Sequence, residues 1–123
     1  MSGNKILVVD DSNTIRRSAE VFLKQAGYDV LLAEDGFDAL AKVHDYKPDL
    51  IFCDILMPRL DGYQTCAIIK RNKSFSSVPV VMLSSKDSVF DIARGRMVGA
   101  NDYVTKPFTK AQLVDTVKAL LPA

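Results

Sequence analysis

A chain of 123 residues, 48% hydrophobic and 25% charged, has room for one core and enough apolar mass to fill it. Sixteen basic against fifteen acidic side chains leave a net charge of +1, without the basic excess of a nucleic-acid binder. No stretch approaches the roughly 18 apolar residues of a membrane span, and the first apolar run breaks at Asp10 and Asp11, too early for a secretion signal. The expectation is one cytoplasmic domain spanning 1–123, with its function in a local arrangement of side chains.

Ile6-Leu7-Val8-Val9 is a continuous apolar run, the pattern of a strand buried on both faces. Ile15, Ala19, Phe22, Leu23 and Ala26 then recur at helical spacing, and Gly27 stands where a helix-ending glycine belongs. Val30-Leu31-Leu32 predicts a second strand. Phe37, Leu40 and Ala41 mark a second helix that ends before Pro48. Leu50 to Cys53 is a third buried strand, and Asp61 to Gln64 has capping-box spacing for a helix through about Lys70. Val78 to Leu83 predicts a fourth strand. Ser88 to Asp91 repeats the capping-box spacing, with Phe90, Ala93 and Met97 on one helical face. Tyr103-Val104 is a short fifth strand, and Thr109 to Gln112 caps a last helix striped by Leu113, Val117, Leu120 and Leu121. Cys53 and Cys66 form no CxxC pair and read as reduced, small hydrophobes. Asn72-Lys73-Ser74 is a chance match to a glycosylation acceptor, since nothing in the sequence signals secretion.

Strands alternating with helices imply right-handed crossovers and a parallel sheet covered on both faces, an α/β fold. Ligands of such sheets bind beyond the carboxyl ends of the strands. Four of the five predicted strands end in polar groups: Asp10 and Asp11, then Asp54, then Ser84 and Ser85, then Lys106 before Pro107. Each alone has an ordinary explanation, since Asp11 or Ser12 could cap the first helix. Together they suit phosphoryl transfer. Clustered carboxylates need a cation between them, and an all-oxygen set favours magnesium. Lys106 would face the transferring group, Ser84 would offer a hydroxyl, and a carboxylate can act as the nucleophile.

Val8-Val9-Asp10-Asp11-Ser12, Asp54-Ile55-Leu56-Met57-Pro58, Asp61-Gly62, Ser84-Ser85 and Lys106-Pro107-Phe108 together resemble the motifs of response-regulator receiver domains, the CheY-like fold. The resemblance covers essentially the whole chain. It implies a flavodoxin-like (βα)5 sheet in the order 2-1-3-4-5. It implies that Asp54 accepts phosphate from a sensor histidine kinase, CheA-like in kind. Asp11 and the Leu56 backbone carbonyl would join Asp54 in binding Mg2+, and Asp10 would act through water. Ser84 and Lys106 would contact phosphoryl oxygens, and the Lys106-Pro107 bond would be cis. The segments Thr14 to Arg17, Gly36 to Lys42, Met57 to Cys66 and Met82 to Asp87 are further similar to single-domain receivers of type IV pilus chemosensory systems, the PilG-like proteins.

By the same resemblance, Ser84 and Tyr103 would move together on phosphorylation. The face formed by the fourth helix, fifth strand and fifth helix would then meet a downstream pilus or motility protein. With the sequence ending at Ala123, no output domain is expected. The signal would control twitching motility through a partner, without nucleic acid or membrane insertion.

Leu56 and Lys86 replace an amide and an acid of the best-known chemotaxis receiver, which predicts slow self-dephosphorylation rather than turnover. A haloacid-dehalogenase-like phosphatase would need an acid where Leu56 stands. A flavodoxin-like electron carrier would need a phosphate loop after the first strand. A phosphorelay intermediate or a flagellar-chemotaxis-type receiver remains the alternative. His44 beside Asp45 reads as a solvated helix residue and not as a relay site.

Overall fold

A computed structural model describes residues 4–85 and 89–122. The strands are β1 (Lys5–Val9), β2 (Asp29–Ala33), β3 (Leu50–Asp54), β4 (Val80–Ser84) and β5 (Asp102–Thr105). Between and after them run α1 (Asn13–Gln25), α2 (Gly36–Tyr46), α3 (Gly62–Arg71), α4 (Val89–Met97) and α5 (Lys110–Leu120). The sheet is parallel, in the order β2-β1-β3-β4-β5.

Because strand side chains alternate between faces, the continuous apolar runs feed two cores. Leu7, Val9, Ile51, Cys53 and Met82 pack on one face with Ala39 and Val43 of α2 and Cys66 and Ile69 of α3. Ile6, Val8, Phe52, Val81 and Leu83 pack on the other with Ala19 and Leu23 of α1 and Leu113 and Val117 of α5. Both cysteines are buried and unpaired, and burial pushes the Cys66 thiol up to about 11, so it stays protonated as a core residue.

The helix ends follow local chemistry. Ser12 caps α1, its hydroxyl accepting from the Ile15 N–H at 3.3 Å. Gly27, at φ 95°, ends that helix in the left-handed region; its N–H donates to the Lys24 carbonyl and that of Tyr28 to Leu23. Reciprocal capping boxes open α3 (Asp61 with Gln64) and α5 (Thr109 with Gln112).

The structure departs from the sequence reading in two places. β4 starts at Val80, because Pro79 has no N–H to give the ladder at the predicted start. In α4, Ala93 and Met97 are exposed, Met97 by 86%, and among the positions whose burial is described, 93–97, the buried one is Gly95. Residues two apart point about 200° apart on a helix, so packing through Gly95 turns Ala93 and Met97 away from the core. Lys86, Ser88 and the side chain of Phe90 lie outside the described residues.

Candidate functional site

Parallel strands present their carboxyl ends along one edge, so residues at those ends converge. Asp10 follows β1, Asp54 and Ser84 end β3 and β4, and Lys106 follows β5. Pairing of Asp54 with Leu83 and of Ser84 with Thr105 keeps the last three strands level there. The Lys106 N–H extends this alignment by donating to the Ser84 carbonyl, and the Lys106–Pro107 peptide bond is cis. A shallow cavity of about 230 Å³ results, lined by Asp11, Asp54, Leu56, Ser84, Ser85 and Lys106 among others.

Lys106 Nζ lies 2.9 Å from Asp54 Oδ1 and 3.2 Å from Asp10 Oδ2. Asp10 is wholly buried; its Oδ1 accepts from the Ser12 N–H at 2.8 Å, and its carbonyl accepts from Arg16 Nη1 at 2.6 Å. Asp11 is exposed, and carboxylate oxygens of Asp10, Asp11 and Asp54 lie within 4.8 Å of one another. Among the described residues, three carboxylates against one ammonium leave the site short of positive charge, the condition a hard divalent cation relieves. The donor set therefore fits magnesium.

Burial raises the Asp54 carboxyl from its usual 3.8 to about 6; Lys106's hydrogen bond opposes the rise, and the Asp10 charge and Asp11 carboxyl add to it. Burial draws Lys106 down, but its hydrogen bond to Asp54 and the two carboxylate charges outweigh that and hold it above its ordinary value. Asp54 thus binds its proton more tightly in the folded chain than in the unfolded one. Its contribution to stability falls as pH rises from about 4 to 6, then levels off. Without divalent ions, Asp54→Asn is expected to gain up to about 3 kcal/mol on the parent between pH 4 and 7. Saturating magnesium at pH 7 should narrow that gap. Denaturant titrations across this range check it, and a pH-independent gap would refute it.

The β3–α3 connection is tightly built. A Cβ on Gly62 would collide with the Asp54 carbonyl oxygen and lie 2.8 Å from Ile55 Cα, while the Gly62 N–H donates to the Ile55 carbonyl at 2.8 Å. Arg59, at φ 70°, pairs with the α2 cap Asp35 at 2.8 Å. Leu56 is 74% exposed at the cavity mouth, and Tyr103 is half-buried behind Ser84's strand.

The arrangement brings together Asp10, Asp11, Asp54, Ser84 and Lys106. The sequence reading gave Arg16 no role beside Asp10; its signal was a cation in the first turn of a helix, where the dipole disfavours it unless a carbonyl holds it. A larger open depression of about 1010 Å³ lies near His44, Asp45 and Phe75. Its His44–Asp45 pair is 79% and 83% exposed, as solvated side chains are, and Pro48 and Val78 place it by the amino ends of β3 and β4, away from the carboxyl ends.

A family model for the response regulator receiver domain matches residues 6–118. The chain belongs to the response regulator receiver family. Protein PilG of Pseudomonas aeruginosa is 60% identical, over 98% of this chain and 90% of that protein. The alkaline phosphatase synthesis transcriptional regulatory protein PhoP of Bacillus subtilis is 44% identical over 95% of this chain, which spans only 48% of that protein. Among solved structures, the chemotaxis protein CheY4 of Vibrio cholerae superposes with a TM-score of 0.94 at 33% identity, covering 98% of this chain and all of that one.

Receivers are signalling switches and not turnover enzymes: they take phosphate from histidine kinases, bind Mg2+ at an acidic pocket and act on downstream partners. No helix among the described residues of this receiver is long and apolar enough to cross a membrane.

Proposed function

We propose that this receiver stores a phosphoryl group on Asp54 and is read by a separate protein. The observation that carries this reading is Lys106 Nζ set between the buried Asp10 and Asp54 carboxylates at the strand ends. An Asp54 carboxylate oxygen attacks the phosphorus of a phosphohistidine. The P–N bond breaks, and its electron pair stays on the imidazole nitrogen, which takes up a proton. Asp54 becomes an acyl phosphate. Asp11, Asp54 and the Leu56 carbonyl would hold Mg2+, with Asp10 acting through water. When bound, the ion would supply positive charge against the phosphoryl oxygens.

Lys106 supplies a second cation to the same oxygens, and Ser84 a hydroxyl donor. Movement of Ser84 toward the phosphoryl group, with Tyr103 turning inward, would alter the α4–β5–α5 face for a partner. The exposed, apolar Leu56 side chain carries no group to orient an attacking water, which supports slow self-dephosphorylation.

The likeness to PilG supports the finer reading. A CheA-like kinase would be the donor, a pilus or motility regulatory protein the target, and type IV pilus-based twitching the output, all in the cytoplasm.

Acetyl phosphate with magnesium should add one phosphoryl group by intact mass, none without magnesium and none in Asp54→Ala. Removing the donor and following the mass reads the lifetime. An unchanged mass with both acetyl phosphate and a phosphorylated CheA-like kinase, on folded protein, would overturn the proposal.

A further inference from the structure

Tyr63 is the second residue of α3, and Tyr103 lies on β5, 40 positions later. Their hydroxyl oxygens are 3.3 Å apart, so one donates to the other. Tyr63 is 5% exposed and packs in the core with Cys66 and Ile69. Arg94 of α4 covers its ring, the guanidinium 4.5 Å from the ring centroid. Tyr103 is half-buried and sits on an edge strand. Its ring passes over Gly95, where a Cβ would come within 3.2 Å of Tyr103 Cε2. One tyrosine is therefore held within the core, and the other packs against that core from the edge of the sheet. The hydroxyl pair exists only while Tyr103 lies inward, against Tyr63 and Gly95.

We propose that Tyr63 is a positioning residue of the phosphorylation switch, its hydroxyl weighting Tyr103 toward the inward placement. The proposal rests on the reading of Asp54 and Tyr103 given above. Linked equilibria are reciprocal, so whatever favours the inward ring also favours the phosphoryl group that draws it inward. Helix α3, outside the output face, would thus help set how readily the switch closes. Arg94 would fix the Tyr63 ring without contacting the reacting atoms.

The test uses the full chain and its Tyr63→Phe, Tyr103→Phe and doubly substituted variants. Each is titrated with beryllofluoride in excess magnesium, with the tyrosine and phenylalanine ring resonances followed by NMR. Tyr63→Phe keeps the ring and removes one oxygen. It should weaken the apparent affinity for the mimic about threefold. Before any mimic is added, it should also shift the Tyr103 ring toward a more solvent-accessible environment. Tyr103→Phe should also weaken affinity, and the double variant should lose less than the product of the two single losses, since the two oxygens share one bond. An unchanged Tyr103 environment and affinity in Tyr63→Phe, or losses that multiply in the double variant, would overturn the proposal. A parent that ignores beryllofluoride would indict the Asp54 reading instead, and the Tyr103 environment in the metal-free variants would still decide the role of Tyr63.

Discussion

Lys106→Met is expected to destabilise the metal-free protein by about 3 kcal/mol at neutral pH and to slow phosphorylation of Asp54 about 100-fold. Its ammonium is the cation between two carboxylates that are 0% and 5% exposed. Methionine keeps most of the stem and removes the charge. Asp10 and Asp54 would then face each other, buried and without that cation. The cost has a ceiling, because Asp54 already holds its proton to about pH 6 and can neutralise itself. The loss of stability should therefore shrink at pH 5, and magnesium should restore part of it at pH 7. Denaturant unfolding at the two pH values, with and without magnesium, reads the first effect. Intact mass against time with acetyl phosphate reads the second. A variant as stable as the parent at pH 7 would show that Lys106 does not balance the carboxylates.

Gly62→Ala is the second large effect, and it acts through backbone. The added methyl would run into the Asp54 carbonyl oxygen and Ile55 Cα, neither of which can swing aside as a side-chain tip can. Either α3 moves off the end of β3 or the Asp54 backbone shifts. The expected cost is about 3 kcal/mol in stability, at the upper end for an overpacked core. Phosphorylation should also slow, since the displaced residue is the one proposed to react. Thermal unfolding together with the acetyl phosphate assay checks both. A variant with parental melting and parental phosphorylation would mean that the contact between α3 and β3 is looser than described.

Much of this architecture was legible in the sequence because it is written in local patterns. Apolar runs followed by Asp10, Asp54, Ser84 and Lys106 marked the strands and their polar ends together. The capping boxes at Asp61 and Thr109 marked two helix starts without any tertiary information. What stayed hidden depends on distance through space. The Tyr63–Tyr103 hydroxyl contact joins residues with no shared pattern, and the crowding at Gly62 follows from how closely a helix start approaches a strand end. The hydrogen bond from Arg16 to the Asp10 carbonyl is likewise visible only once the helix is set against the strand end. In the described part of α4, Ala93 and Met97 face outward while Gly95 is buried, and a glycine leaves no mark in a hydrophobic pattern.

The order of the strands has a consequence for the newborn chain. β1 lies in the middle of the sheet, so Asp10, made early, must wait for Lys106, which joins it from 96 residues further on. Before that, the two buried carboxylates lack the lysine that balances them. The charge balance at the strand ends thus arrives last, with the fifth strand that completes the sheet.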